Sequence, residues 1–268
     1  MSAALNQSIQ QDVAPGNAGF AQSGDEIMRL EAVSMRFGPF HALRDLTFGV
    51  NRGEVLGIAG PNGAGKSTLL NVCTGGLSAT DGIIFVGDKD ITRLGRHACC
   101  ALGIGRTFQI PTIVSSLTVG ENILTGSTFG RKKAAAGQAA DFQSIVDLTG
   151  LSAEIDENAG RTDLLTRKRV MLASALATGA KLVFMDEPLG GLNAEEIDSF
   201  CSLIETVRRE RDLTFVIVEH KTRALAHLSD RILILDFGTL VCLDAPDIVL
   251  NDDRVVEIYL GKKHSAGG

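Results

Sequence analysis

Three short apolar runs that end abruptly in polar or glycine-rich residues constrain the fold more than any other feature of the sequence. The runs cover residues 55–59, 182–185 and 215–218. A strand with one face in water alternates apolar and polar residues, whereas a continuous apolar run fits a strand that is covered on both faces. The sequence therefore predicts buried strands of a parallel sheet.

Each run is followed by a segment with helical periodicity, over residues 66–75, 194–211 and 221–228. Strand, loop and helix repeated in this order predict an α/β fold with a parallel sheet. Ligands of such sheets bind beyond the carboxyl ends of the strands. Because the polar residues after the three runs all occupy that position, we expect them to share one site.

The ends of the chain and its middle differ from this pattern. Residues 1–24 contain few large apolar side chains, so they cannot offset the entropy of ordering, and a disordered leader is expected. The folded domain is predicted over residues 25–261, followed by a loose tail at 262–268. Helix-like segments without convincing strands at 112–178 predict an inserted helical subdomain.

Composition restricts the class of protein. The net charge is −6, which argues against a nucleic-acid partner because phosphate backbones recruit basic surfaces. No run approaches the roughly 18 apolar residues that span a bilayer, and the start of the chain lacks a secretory-signal pattern. The five cysteines lack the spacing of a zinc site and are expected to be reduced and mostly buried. An intracellular protein is the expectation.

A nucleotide-binding loop is indicated between the first run and the first helix. The pattern G-x-x-x-x-G-K-[ST] is satisfied by Gly60, Pro61, Asn62, Gly63, Ala64, Gly65, Lys66, Ser67 and Thr68. Glycines let consecutive backbone N–H groups approach phosphate oxygens, and the positive end of the following helix points to the same place. Lys66 is expected to neutralise the β- and γ-phosphates of ATP, and Ser67 is expected to ligate Mg²⁺.

Two carboxylates follow the second apolar run. Asp186 fits the second Mg²⁺ ligand of such sites, and Glu187 comes immediately after it. Adjacent residues at a strand end point in different directions, so one carboxylate can serve the metal while the other faces an attacking water. Together with the phosphate loop, the pair predicts hydrolysis of ATP.

With these motifs the sequence resembles the ATPases of ABC transporters over nearly all of residues 27–261. The resemblance identifies residues 60–68 as the Walker A motif and residues 182–187 as the Walker B motif with its following glutamate. It implies a P-loop NTPase parallel-sheet core with an antiparallel β subdomain and an inserted helical subdomain. It also implies that Phe37 stacks on adenine.

The resemblance implies functions for three further segments. Gln109 matches the Q-loop glutamine, which senses Mg²⁺ and the γ-phosphate and contacts the membrane subunit. It is therefore a third expected Mg²⁺-site residue, beside Ser67 and Asp186. Residues 190–193 match the D-loop that crosses the dimer interface, and His220 matches the switch histidine that contacts the γ-phosphate. Catalytic roles are therefore expected for Gln109, His220, Glu187 and Lys66.

Residues 103–109 and 250–261 are similar to the ATPases of branched-chain amino acid importers. Such an importer implies a second ATPase subunit, two integral membrane permease subunits and a periplasmic binding protein. This chain would then lie at the cytoplasmic face of the inner membrane. Exporters of the lipid or lipopolysaccharide type are close relatives and remain an alternative.

The family's signature motif, LSGGQ or a close variant, is replaced in this chain. The equivalent residues, 162–166, read Thr-Asp-Leu-Leu-Thr. In the family this segment holds the γ-phosphate on the partner's Walker A motif. Asp163 is a good N-cap, but two like charges about 4 Å apart repel by roughly 4 kcal/mol at an effective dielectric of 20, against about 0.3–2 kcal/mol from the helix end. Leu164 and Leu165 also place side chains where glycine allows close approach.

These observations give a hypothesis of a heterodimer with one working and one degenerate site, in which the partner ATPase carries an intact signature. A homodimer remains open. A low-turnover regulatory or scaffold subunit that binds ATP is an alternative, favoured by the altered signature and opposed by Glu187 and His220. A soluble ABC ATPase acting on nucleic acid or ribosomes is a third possibility, which the acidic balance does not favour.

Overall fold

Two β-sheets form the framework of the chain, which the computed structural model describes over residues 25–129 and 135–260. The disordered leader expected at 1–24 and the loose tail expected at 262–268 lie outside the described residues. The strands are β1 (Glu26–Phe37), β2 (Phe40–Asn51), β3 (Val55–Ala59), β4 (Asp81–Val86), β5 (Lys89–Asp90), β6 (Ile104–Arg106), β7 (Leu182–Asp186), β8 (Thr214–Val218), β9 (Arg231–Asp236) and β10 (Thr239–Asp244). The helices are α1 (Lys66–Cys73), α2 (Arg96–Ala101), α3 (Val119–Phe129), α4 (Ala135–Thr149), α5 (Leu164–Ala177), α6 (Ala194–Arg211), α7 (Thr222–Leu228), α8 (Pro246–Leu250) and α9 (Asp253–Leu260), with a 3₁₀ turn at Ala159–Arg161.

The larger sheet is parallel and carries the predicted nucleotide-binding loop between β3 and α1. Its strand order is β10-β9-β3-β8-β7-β6, and β10 alone among the described strands of this sheet runs antiparallel to its neighbour. Every residue of β3 and β8 is buried, as continuous apolar runs require. The predicted α/β fold with a parallel core sheet is thereby confirmed.

The smaller sheet is antiparallel, with the order β2-β1-β4-β5. Its buried side chains, among them Leu30, Leu43 and Ile84, share one core with residues of β3, β7 and β9. The sheet therefore packs against the parallel core on the side where α1 begins. This is the antiparallel β element that the resemblance implies.

Helices α3, α4 and α5 lie in the chain between β6 and β7 and share a second core with β7, β8 and α6. Helix α3 approaches α5 closely at Gly126, where an added Cβ would lie 2.2 Å from the carbonyl oxygen of Ser174. Arg211 of α6 donates hydrogen bonds to Asp141 and Ser144 of α4. The first contact joins two helices of the helical segment to each other, and the second attaches α4 to α6.

Two helix ends differ slightly from the sequence prediction. Helix α1 ends at Cys73 rather than Gly75, because Thr74 binds the Leu70 carbonyl through both its backbone N–H and its hydroxyl and Gly75 has a left-handed backbone. Helix α7 begins at Thr222, one residue later than predicted. Within the described ranges, none of the helices has the length and apolar character needed to cross a bilayer.

Candidate functional site

The loop between β3 and α1 has a shape that only glycine permits at two positions. Gly60 has φ +147° and Gly65 has φ +107°, a region that side chains rarely adopt. An added Cβ at Gly60 would lie 2.0 Å from the Leu235 carbonyl oxygen, and one at Gly65 would lie 2.6 Å from the Ala42 carbonyl oxygen. The loop is therefore pressed between β9 and β2 on its inner side.

Lys66 starts α1 and folds back over this loop. Its ammonium Nζ donates to the carbonyl oxygens of Gly60 at 2.7 Å and Pro61 at 2.9 Å. Burial lowers the pKa of the ammonium below its usual value, and the nearby carboxylates of Glu187 and Asp186 partly oppose this shift. The lysine is thus a partly desolvated cation that faces both predicted carboxylates.

The outer side of the loop is open to solvent. Asn62, Gly63 and Ser67 are exposed, whereas Ala64 is buried and Thr68 is half-buried. An added Cβ at Gly63 would meet no heavy atom within 4 Å. This side can therefore accept an anionic ligand without displacing side chains.

Phe37 and Phe40 are partners across the turn that joins β1 to β2. Both aromatic side chains are largely exposed, at 48% for Phe37 and 63% for Phe40. Strand β2 continues from this turn to Ala42, which touches the nucleotide loop at Gly65. The turn therefore presents two aromatic rings near the loop, of which the sequence singled out only Phe37.

Asp186 closes β7 and turns towards Arg106 on the neighbouring strand β6. Their side chains approach to 3.5 Å, and the guanidinium also donates to Asn71 of α1 at 2.8 Å and to Thr74, just after α1, at 3.2 Å. Burial raises the pKa of the Asp186 carboxyl above its usual range, and Arg106 opposes that rise. Arg106 was missed by sequence reasoning, because its contacts bring together residues from three separate segments.

Glu187 points away from Asp186 and meets two other predicted residues. The Glu187 carboxylate lies 2.9 Å from Nε2 of His220 and accepts a hydrogen bond from the Gln109 side-chain amide at 2.5 Å. Glu187 itself has φ +47°, which is uncommon for a residue with a side chain. The structure thus brings Glu187, His220 and Gln109 into one cluster at the carboxyl ends of β6, β7 and β8.

A Mg²⁺ ion would find two suitable protein ligands here. The Ser67 hydroxyl and the Asp186 carboxylate are the kind of oxygen donors that Mg²⁺ prefers, and this ion usually completes its shell with water and phosphate. Within the described residues, no group of three or more His, Cys, Asp and Glu side chains could hold a metal alone. The residues present therefore fit a Mg²⁺ that arrives with a nucleotide.

The segment 162–166 begins helix α5. Asp163 is exposed, and its carboxylate caps the helix by accepting a hydrogen bond from the Thr166 N–H at 2.7 Å. Leu164 and Leu165 are half-buried and pack against the core of the helical segment. Both leucines therefore contribute side-chain volume at positions 164 and 165, where the family signature has glycine.

A cleft of about 330 Å³ lies between the sheet and the helical segment. Residues 104–108 and 112–114 form one wall, and side chains of α3 and α5 form the other. Gln109 follows directly after the first wall. The cluster of Glu187, His220 and Gln109 and the cleft therefore share one connecting segment.

Tyr259 of α9 lies near the start of the nucleotide loop, where partial burial raises the pKa of its phenol and the Gly60 backbone partly opposes that rise. Nothing in the sequence pattern indicated this contact. Helix α9 is therefore attached to the site region, although it is the last element in the described part of the chain.

Comparison with known proteins gives the same family from three directions. The model of the ABC transporter family matches residues 43–190. A probable branched-chain amino acid transport ATP-binding protein, LivG of Methanocaldococcus jannaschii, is 34% identical over 88% of this chain and 98% of its own. BraF of Pseudomonas aeruginosa, a high-affinity branched-chain amino acid transport ATP-binding protein, is 28% identical over the same shares.

Solved structures agree with this comparison. The ADP conformation of MJ1267, an ATP-binding cassette of an ABC transporter, has a TM-score of 0.81 and 32% identity, over 88% of this chain and 99% of that one. The structure of cbiO1 from Clostridium perfringens, part of the ABC transporter complex cbiONQ, has a TM-score of 0.78 and 25% identity, over 87% of this chain and 93% of that one. The chain therefore belongs to the ABC transporter family, as one of its ATP-hydrolysing subunits.

Proposed function

We propose that this chain energises a branched-chain amino acid importer by binding and hydrolysing Mg²⁺–ATP. The observation that carries the proposal is the Glu187 carboxylate, held between His220 and Gln109 beside a glycine loop with a buried lysine. The relatives named for branched-chain amino acid transport match this chain over almost their whole length. The substrate class is taken from those relatives.

The proposed reaction uses the two carboxylates differently. The loop N–H groups and Lys66 bind the phosphates, Phe37 stacks on adenine, and Ser67 and Asp186 hold Mg²⁺. The metal, when bound, neutralises charge that develops on the β- and γ-phosphate oxygens. Glu187 accepts a proton from the attacking water, and His220 and Gln109 hold the carboxylate and contact the γ-phosphate. Release of phosphate then permits the subunits to separate.

The cleft beside residues 104–114 is the proposed docking place for a permease subunit. Gln109 ends the segment that lines it, so a side chain inserted into the cleft would shift the same segment that touches Glu187. The proposed complex contains two permease subunits and a second ATPase at the cytoplasmic face of the inner membrane. A periplasmic binding protein would deliver the amino acid to the permeases.

We also propose that the site facing residues 162–166 is degenerate. The Asp163 carboxylate stands at the helix end where a partner's γ-phosphate would approach, and it caps that end by accepting the Thr166 N–H. A carboxylate at that position also repels the phosphate. This chain's own Walker A motif would therefore pair with an intact signature in a different ATPase, forming the working site of a heterodimer.

The test is a mild-detergent pull-down of the tagged full-length chain from its native membranes, with identification of the co-purifying proteins. Two integral membrane proteins and a second ATPase with an LSGGQ-like segment support the proposal. Recovery of the chain alone, or with cytosolic proteins only, removes the transport assignment and favours a nucleotide-binding regulator. Amino-acid-stimulated turnover of the purified complex, reconstituted with its binding protein, then tests the substrate class.

The degenerate site has its own test in the same complex. Replacing residues 162–166 with Leu-Ser-Gly-Gly-Gln should raise ATP turnover because a second site becomes competent. Replacing an equally long exposed segment elsewhere on the helical layer controls for disturbance of the fold. Unchanged turnover in the restored variant would contradict the proposal.

A further inference from the structure

We infer that Glu219 and Lys221, the two neighbours of His220, are positioning residues that fix the loop 187–193 relative to this histidine. The inference rests on the catalytic roles proposed above for Glu187 and His220. It adds two side chains that neither contact the reacting atoms nor belong to the motifs identified in the sequence.

Glu219 binds one side of the loop 187–193 by accepting a backbone hydrogen bond. Its side chain is almost fully buried, and one carboxylate oxygen accepts the backbone N–H of Leu189 at 2.7 Å. The other oxygen accepts the N–H groups of His220 at 3.0 Å and Lys221 at 3.3 Å. A single carboxylate therefore joins the loop 187–193 to the segment that carries His220. A buried carboxylate with several N–H donors is a stable arrangement, because the loss of its hydration is compensated.

Lys221 binds the same loop by donating hydrogen bonds to its backbone carbonyl groups. Its ammonium Nζ donates to the Leu189 carbonyl oxygen at 3.0 Å and to the Leu192 carbonyl oxygen at 3.4 Å. Both backbone polar groups of Leu189 are thus bound by side chains, one from each neighbour of His220. Leu189 is itself fully buried, so its backbone has no access to water as an alternative partner.

A further hydrogen bond extends this attachment to Glu187. The Glu187 N–H donates to the carbonyl oxygen of Val218, which ends β8 directly before Glu219. The segment from Val218 to Lys221 therefore holds the loop at Glu187, Leu189 and Leu192. We conclude that His220 and the base Glu187 keep their 2.9 Å contact because the loop between β7 and α6 cannot shift independently of the end of β8.

The opposite side of the loop touches the start of α5. An added Cβ at Gly191 would lie 2.8 Å from the Leu164 side chain. Lys168, one turn further along α5, is buried, and Glu219 and Lys221 both act on the pKa of its ammonium, which burial lowers. The loop 187–193 thus lies between the cluster of Glu187, His220 and Gln109 and the helix α5, which Asp163 caps. A shift of His220 would therefore be passed to the surface that faces the partner ATPase.

The first test measures hydrogen exchange of residues 187–193 and 218–222 in the full-length chain, without and with Mg²⁺–ATP. In Lys221→Met the stem is retained and the donors are lost, and Glu219→Ala removes all the acceptors. Loss of a hydrogen bond to a charged group should speed exchange of the Leu189 amide about 10- to 100-fold in Glu219→Ala. In the wild-type chain both segments should respond together to Mg²⁺–ATP, and in Lys221→Met they should respond separately.

Two further variants complete the series. Glu219→Gln keeps an acceptor for Leu189 and should give an intermediate effect, and it carries the test if Glu219→Ala does not fold. Lys181→Met is the matched control, because Lys181 is exposed and its ammonium also donates to a backbone carbonyl, that of Arg211 at 3.3 Å. Exchange in Lys181→Met should equal that of the wild-type chain in both segments.

The second test measures ATP turnover by the transporter complex that contains each variant. Misplacement of a base by about 1 Å costs up to about 100-fold in rate, so kcat should fall about 10- to 100-fold in Lys221→Met while KM for ATP stays unchanged. Three outcomes would each overturn the inference. Hydrogen exchange in the variants could equal that of the wild-type chain, or the two segments could still respond together to Mg²⁺–ATP in Lys221→Met. The third outcome is altered exchange with unaltered kcat. A wild-type complex without turnover would contradict the proposed function instead. The exchange measurement would then still decide whether Glu219 and Lys221 couple residues 187–193 to residues 218–222.

Discussion

Glu187 and His220 meet at 2.9 Å although 33 positions separate them in the chain. Their contact follows from sheet geometry, because β7 and β8 are parallel neighbours in which Asp186 is paired with Val218. The residues just beyond two paired strand ends must be close in space. The separation also falls within the roughly 2.6–3.2 Å at which a base can be oriented by a hydrogen bond.

Substitution of Glu187 by Gln should abolish most turnover while nucleotide binding is retained. The amide keeps the shape of the side chain but cannot take a proton from water, and general-base catalysis contributes about 10²–10⁴-fold. Turnover of the transporter complex and binding of a fluorescent ATP analogue measure the two effects. Glu205→Gln, an exposed carboxylate on α6, is the matched control. A variant that keeps more than about a tenth of the turnover would show that Glu187 is not the base.

Substitution of Phe37 by Ala should weaken ATP binding. Stacking on a base contributes about 1–3 kcal/mol, which corresponds to roughly 5- to 150-fold in the dissociation constant. The comparison of ATP with ribose triphosphate lacking a base isolates the effect, because only the nucleotide with a base should lose affinity. Phe40→Ala is the control from the same turn. A larger effect in Phe40→Ala would mean that Phe40 stacks on the base and that the sequence prediction chose the wrong aromatic residue.

Substitution of Arg106 by Met should destabilise the chain in a pH-dependent manner. A buried hydrogen bond to a charged group contributes about 1.5–3 kcal/mol, and the variant leaves the Asp186 carboxylate without its cation. The pKa of Asp186 in the folded chain is already raised above its ordinary 3.8. The protonated carboxyl therefore stabilises the folded state below pH 3.8, and this stabilisation is lost as the pH rises through the folded-state pKa.

The loss in Arg106→Met should therefore be larger at pH 7.5 than near pH 4, as measured by urea unfolding of the full-length chain. The double variant Arg106→Met, Asp186→Asn removes the titrating group and should show a loss that is nearly independent of pH. The hydrogen bonds from Arg106 to Asn71 and Thr74 are lost in both variants, so they account for the pH-independent part of the stability loss. Equal pH dependence in the two variants would exclude Asp186 as the cause.

Substitutions of Asp163 separate its capping role from its charge. Asp163→Ala removes the acceptor for the Thr166 N–H and should cost about 1 kcal/mol, within the usual range of about 0.5–2. Asp163→Ser retains an acceptor at neutral charge and should change stability by only a few tenths of a kcal/mol. Thermal unfolding of the two variants measures this difference. A loss of equal size in both would mean that the charge, rather than the hydrogen bond, stabilises α5.

The buried strands and the phosphate loop could be predicted because each leaves a local pattern in the sequence. The continuous run at 55–59 and the glycines that follow it are constrained by burial on both faces and by left-handed backbone at Gly60 and Gly65. The same reasoning placed Glu187 and His220 at the carboxyl ends of two strands of one sheet. The fold class was therefore predictable from the sequence alone.

The contacts of long side chains could not be predicted in this way. Arg106 reaches Asn71, Thr74 and Asp186, and Lys221 reaches the carbonyl groups of Leu189 and Leu192, across distances that only the assembled fold determines. Strand β6 was also missed, because three residues beside a glycine-rich segment give no periodicity. The packing of Leu164 against the core gave no signal in the sequence, since the position of a first-turn side chain depends on the core beneath it.

The fold-back of Lys66 onto the Gly60 and Pro61 carbonyls has a consequence for the nucleotide cycle. These two hydrogen bonds, together with the close packing of Gly60 and Gly65, hold the loop in one curve whose outer side is open. Binding of ATP to a loop held in this way requires little further ordering of the backbone. An ATPase built in this way can release ADP and bind the next ATP on a preorganised support, with the entropy of loop closure already spent during folding.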